Sequence, residues 1–298
     1  METKMDMLHG PLLKKILIFA FPIIIGSVLQ QLFSAVDIAV VGLVGDSNGQ
    51  AAIGANTSLI ALFVNFFVGL TVGINVVIGN YIGQGHKERI SATVHTAVCF
   101  AVFSGIGLLF LVEMVARPML VIMATPDEVL DLAVTYLRIY ALGMPFILLY
   151  NFSAAVLRTI GDTKRPLYAL LAAGFINMVL DVLLTVFCGL GVTGVAVATA
   201  FSNVISSSLV IIFLVHEKGD IRLDLSKLHI DGSDLIKLLK IGLPSGFQTM
   251  VFSIANLCIQ AAINSYGPAA VAGNAVALIF EVLAYYVVTG INQAAVTF

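Results

Sequence analysis

Charge is scarce in this chain. Only 11% of its 298 residues are Asp, Glu, Lys or Arg, tryptophan is absent, and 59% are hydrophobic. Soluble domains carry about a quarter charged residues, so this composition excludes a soluble globular protein and implies many membrane crossings. Cysteine is scarce too. Cys99, Cys188 and Cys258 stand apart in apolar surroundings, with no CxxC or zinc spacing, and each reads as a small packing or lipid-facing residue. No Ser/His/Asp grouping, HExxH or P-loop pattern occurs; no enzyme, no catalytic residue and no use of ATP is expected. The GxGxxG string from Gly189 to Gly194 joins two apolar runs and follows no strand, so it fails the dinucleotide context. A formal net charge of −2 gives no basis for a nucleic-acid partner.

Long apolar runs are what remain. Ile16 to Val36 follows Lys14 and Lys15 and is long enough to cross a bilayer core of about 30 Å at about 1.5 Å per residue. It is too long for a cleaved leader, so the first helix is expected to continue past Asp37, with a kink at Pro22. Further spans are predicted within Ala51 to Ile82, from Ile90 to Val112, from Leu132 to Leu157 with a kink at Pro145, from Leu167 to Phe187, and from Val192 to Val215. A polar turn from Arg158 to Pro166 precedes the fifth, and Pro166 is expected to open that helix. A charged connector from His216 to Asp234 leads to a seventh span from Leu235 and an eighth from Val271.

Lys and Arg set the orientation. With the N-terminus inside, 13 of the 15 basic residues fall in inner flanks; the exceptions are Arg117 and Arg138. That is the positive-inside pattern, which predicts a cytoplasmic N-terminus. An internal repeat also emerges. Lys14 to Pro22 is similar to Lys237 to Pro244, Val44-Gly45 to Tyr266-Gly267, and Gly73-Ile74-Asn75 to Gly290-Ile291-Asn292. Both copies start on the same side, as in transporters built from two parallel lobes. The expected fold is an all-α polytopic membrane protein. Residues 1–215 form a six-helix lobe, 216–234 a cytoplasmic connector, and 235–298 the first two helices of a second lobe, a fragment of a protein of about twelve spans.

Polar residues inside these runs point to function, because a carboxylate in hydrocarbon is costly. Asn177 and Asp181 are four apart and share a helix face. Counting rise from the predicted helix ends puts Asp37, Asp181 and Thr199 each about 9–10 Å below the outer surface, with Asn177 about a turn deeper. Three helices thus bring oxygen ligands to one level. Such a group could hold Na⁺, a hard cation, or share a proton between two carboxylates. The plainer reading makes Asn177 and Thr199 interhelical glue and Asp37 interfacial. Glu113 and Arg117 are spaced for an ion pair. Arg138 either snorkels outward or opposes the Asp pair. Glu281 either faces a cavity or packs, Asn65 and Asn256 are cavity-lining candidates whose plainer reading is interhelical glue, and His95 reads as a packing residue.

Three motifs carry a family resemblance. They are the Pro22 helix ending in Asp37-Ile38-Ala39-Val40-Val41-Gly42, the turn from Leu157 to Pro166, and Gly194-Val195-Ala196-Val197-Ala198-Thr199. Together they resemble the MATE family of multidrug and toxic-compound extrusion transporters, in its bacterial DinF-like branch. The resemblance implies a twelve-helix antiporter of two six-helix lobes that exports cationic and amphipathic compounds in exchange for Na⁺ or H⁺. It also implies a first-lobe cation site at Asp37, Asn177, Asp181 and Thr199. A related branch carries a Glu on the seventh helix; here that position is Phe252, which speaks against a second-lobe site.

The expected function is therefore secondary active export of small cationic or amphipathic molecules through the lipid bilayer. No cofactor or metal is expected beyond a coupling Na⁺ or H⁺. The alternatives are a lipid-linked oligosaccharide flippase of similar architecture, which needs several cavity cations where this chain offers Arg138, and a non-transporting fragment or assembly partner.

Overall fold

A computed structural model describes residues 11–123, 125–264 and 268–297, without most side chains between 257 and 280. Lys4, the Cys258 side chain and the Tyr266-Gly267 part of the repeat lie outside the described residues. The described chain is helical throughout its ordered elements: α1 Leu12–Leu43, α2 Ser47–Gln84, α3 Lys87–Ile122, α4 Asp127–Thr159, α5 Lys164–Asp181, α6 Gly191–Val215, α7 Gly232–Asn264 and α8 Pro268–Thr297. Seven of them, α1 to α7, are long and apolar enough to cross a membrane.

Helices α1 to α4 run 32 to 38 residues, well beyond the apolar runs that mark them in the sequence. Hydropathy marks only the part that suits lipid; the polar ends extend each helix. Asp46, for example, caps α2 by accepting from the Gly49 N–H at 2.7 Å. Pro22 and Pro145 both lie inside unbroken helices.

Helix α4 sits at the centre and packs on α2, α3 and α6. Its two ends serve two cores. Toward the Arg158 end, Phe152 and Leu157 meet Ile78, Val94 and Leu214. Toward the other end, Leu137 and Leu148 meet Leu59, Leu108 and Leu120. Pro166 lies in the first turn of α5, as expected, and the turn into that helix is held by Asp162. Asp162 is fully buried, and its Oδ1 accepts from the backbone N–H groups of Lys164 and Arg165 at 3.1 and 3.0 Å. That carboxylate satisfies the helix's orphan donors and also pairs with the Arg165 guanidinium, which reaches on to Glu217 after α6.

The connector is anchored along its length. Ile221 and Leu223 are buried in the main core, and the Leu223 N–H donates to Leu214 O at 3.1 Å. His95 Nε2 accepts from the Asp224 N–H at 3.1 Å while Nδ1 faces Ser91 O at 2.7 Å, so the imidazole is satisfied as a packing group and pins the connector.

Helix α7 then runs antiparallel along α2 in very close contact. A Cβ on Gly69 would lie 2.6 Å from Gly246 Cα, and one on Gly242 would lie 2.7 Å from Leu70 O. Small residues let two backbones approach this closely. The seam is bounded by polar contacts, Tyr81 with Asp234 at one end and Thr249 Oγ1 donating to Asn65 O at the other. The repeat gains a structural meaning here. Gly73 of the first Gly-Ile-Asn packs against α7, and Gly290 of the second packs against Ile24 of α1. Each copy's second helix therefore rests on the first helix of the other copy, as an approximate two-fold exchange requires.

Candidate functional site

Asp37 on α1 and Asp181 at the end of α5 come together inside the helix bundle. They are 7% and 0% exposed, and the two carboxyl groups are near enough to interact directly. Thr199 of α6 donates its hydroxyl to Asp37 Oδ2 at 3.3 Å. Asn177, one turn before Asp181, donates Nδ2 to Asp181 Oδ1 at 3.5 Å. Both contacts are long, so the donors satisfy these carboxylates weakly.

Each carboxylate keeps a second oxygen with no protein donor. Asp37 Oδ1 and Asp181 Oδ2 are buried and receive no hydrogen bond among the described residues. Two adjacent anions with orphaned oxygens in a low-dielectric setting are unfavourable unless something positive joins them. A proton shared between the carboxyls meets that need, and so does a small cation drawing on both carboxylates, the Asn177 amide and the Thr199 hydroxyl.

Local backbone features position the pair. Directly after Asp181 the helix widens into a π-helical turn, Val182–Phe187. A turn of this kind is rare and occurs mostly at functional positions. Its backbone is fixed against α6: Thr185 Oγ1 donates to Gly191 O at 3.2 Å, and a Cβ on Gly194 would lie 3.0 Å from the Leu184 carbonyl carbon. Tyr136 and Tyr140 of α4 complete the surroundings. Their rings stand 6.0 Å apart, and both lie within electrostatic reach of Asp37. Sequence reasoning missed them because a tyrosine in an apolar run reads as hydrophobic, although their i, i+4 spacing was a signal.

The other candidates do not join the pair. Arg138 points away and its Nε meets Glu113 at 3.3 Å, at a half-exposed position. Two residues along a helix turn the side chain by about 200°, so with Tyr136 packed against Val41 of α1 and Val195 of α6 Arg138 faces α3. The expected Glu113–Arg117 pair is also corrected, since Arg117 bridges to Asp131 at 2.7 Å. Helix α3 packs on α4, and cross-helix partners there displaced the local spacing. Asn65, Asn256 and Glu281 are exposed, and none hydrogen-bonds to either carboxylate. Phe252 stacks on Tyr285 with centroids 5.5 Å apart.

Fold and site define an α-helical multi-span membrane protein with a buried carboxylate pair shared by two helices. Residues 22–183, more than half of the chain, match the sequence model of the MatE family, and the chain belongs to that family. It is 29% identical over 262 residues to the probable multidrug resistance protein YoeA of Bacillus subtilis (strain 168), covering 86% of this chain and 57% of that one. It is 26% identical over 269 residues to the multidrug export protein MepA of Staphylococcus aureus (strain MRSA252), covering 88% and 58%. Among solved structures, it is similar to a MATE protein in its bent conformation, with TM-score 0.86, 25% identity and coverage of 94% and 63%. It matches a MOP superfamily transporter from Pyrococcus furiosus equally well, at TM-score 0.86, 25% identity and coverage of 94% and 62%; the binding pocket of that transporter has reverse polarity, which suggests a different function for it. The chain spans 56–60% of the length of the curated relatives it matches.

Proposed function

We propose that this chain serves in secondary active export of small cationic or amphipathic compounds from a bacterial cell, driven by Na⁺ or H⁺ bound at Asp37 and Asp181. The observation that carries this reading is the pair of buried carboxylates with orphaned oxygens, drawn from two membrane-crossing helices. An ion can shift a conformational equilibrium only by binding one state better than the other. A site shared between α1 and α5 supplies that difference, because any motion that parts the helices dismantles it. Asn177 and Thr199 hold the carboxylates in place, and α1 carries the response. With the N-terminus cytoplasmic, the pair lies in the outer half of the membrane and takes its ion from outside. The multidrug names of the relatives support the substrate class. A flippase reading is disfavoured because Arg138, the cation it would use, is paired with Glu113 away from the site.

The test is ethidium efflux from cells carrying the gene that encodes this chain, at varied Na⁺ and pH, beside Asp37→Asn and Asp181→Asn variants. Each variant is expected to reduce efflux tenfold or more at unchanged membrane abundance. Efflux that persists in both variants removes the site from the mechanism.

A further inference from the structure

Below the carboxylates, helix α1 meets α5 through an aromatic ring set against a glycine. The Phe33 ring fills the space that a Cβ on Gly174 would occupy, with ring atom Cε1 2.6 Å from the ideal Cβ position and two other ring atoms nearer still. Phe33 is half-buried and packs against the main core. Phe33 precedes Asp37 by four residues on α1, and Gly174 precedes Asp181 by seven on α5. Both spacings return to the same helix face. The ring contact therefore lies about 6 Å below one carboxylate and about 10 Å below the other along the helices.

A glycine in the middle of a helix is unfavourable relative to alanine, so its presence facing α1 asks for a reason. Elsewhere on the same interface a side chain has room. A Cβ on Gly26 would lie 3.6 Å from Leu170 and 3.8 Å from Leu167, in ordinary contact. Gly174 differs because a stiff aromatic ring already occupies the place a methyl group would take, so the ring and the notch together set how closely the two helices approach. Interiors packed this densely transmit sub-ångström shifts.

We propose that Phe33 and Gly174 are positioning residues that set the distance between the Asp37 and Asp181 carboxylates. This rests on reading the pair as the coupling-ion site, but the geometry can be tested without any ion. The membrane-embedded protein carries Asp37→Cys and Asp181→Cys, with Cys99, Cys188 and Cys258 replaced by Ser, and disulfide closure is followed under copper phenanthroline. Gly174→Ala in this background is expected to slow closure tenfold or more, because the added methyl drives the ring and α1 outward. In a Phe33→Ala background the same Gly174→Ala change is expected to alter the rate less than threefold, since no ring remains to be displaced. Gly26→Ala is the control and is expected to leave the rate unchanged. An unaltered rate in Gly174→Ala, or equal slowing with and without the Phe33 ring, overturns the proposal. Where Gly174→Ala alone fails to fold, the Phe33→Ala/Gly174→Ala protein decides: slow closure there, relative to Phe33→Ala, also overturns it. Failure of the ion-site reading shows separately, as efflux indifferent to Asp37→Asn and Asp181→Asn.

Discussion

The Tyr81 hydroxyl donates to Asp234 Oδ1 at 2.8 Å and fastens α2 to the first turn of α7. Asp234 is fully buried. Its other oxygen accepts from Thr93 of α3 at 2.9 Å, and Lys237 and Arg89 stand at 3.5 and 3.9 Å. Removing one partner from a buried charged network costs about 3–5 kcal/mol, chiefly by stranding the groups left behind. Asp234→Ala is expected to lower stability by about 3 kcal/mol, read as thermal denaturation in detergent. It should also expose the connector to protease. A melting temperature within a degree of the parent would show that the clasp contributes nothing.

Asp231, three residues earlier, caps the same helix. Its carboxylate is held below the ordinary range first by the Asp234 backbone N–H, then by Ser233, with Arg89 adding a smaller effect. A carboxyl whose folded pKa is depressed gives stability that is present above its unfolded value and is lost as pH falls through the folded value. The start of α7 is therefore expected to loosen only below about pH 4, the unfolded Asp value. Hydrogen exchange at Ser233 and Asp234 checks this. Asp231→Asn, which keeps the acceptor oxygen without the charge, should flatten that response, and an unchanged response assigns it to another group.

How much of this could be read from sequence differs by residue. Asp37, Asp181 and Thr199 fall at one depth by counting, because helix rise is constant and the three ends used, at Leu43, Phe187 and Gly191, lie within a residue of where they were expected. The structure does bring Thr199 to Asp37 and Asn177 to Asp181. Tyr136 and Tyr140 were passed over, despite their i, i+4 spacing, because hydropathy does not separate a ring buried near a carboxylate from one facing lipid. The Arg138–Glu113 pair depends on which helices are neighbours, information that one sequence does not carry. Asp234 reads as a connector charge; only the closeness of α2 and α7 reveals it as buried. The π-helical turn after Asp181 has no composition signal at all, since Val182–Phe187 looks like any apolar helix.

Glycines on α2 divide by what faces them. A Cβ on Gly73 runs into the Leu238 carbonyl, backbone that cannot swing aside, whereas Gly79 faces open space. Gly73→Ala is expected to destabilise by about 1–3 kcal/mol through overpacking. Gly79→Ala is expected to stabilise by about 0.5–1 kcal/mol, because alanine suits a helix interior better. Paired melting curves decide it, and a Gly73→Ala protein no less stable than the parent would mean that the α2–α7 seam is looser than its geometry.

Orientation yields to a single cysteine. Cys188 is exposed and immediately follows the π-helical turn, while Cys99 is half-buried within α3. Cys188 lies at the end of the bundle opposite Arg158, Lys164 and Arg165, since the last two begin α5 and Cys188 follows its far end. With Cys99 and Cys258 replaced by Ser, a membrane-impermeant maleimide added to intact spheroplasts is expected to label the protein, and Cys188→Ser should abolish the label. Basic residues resist transfer across the membrane and so hold their end inside, which leaves Cys188 outside. Labelling that appears only after the spheroplasts are broken would invert the topology. The carboxylate pair would then draw its ion from the cytoplasm, and the direction of coupling in the proposed export would have to be reversed.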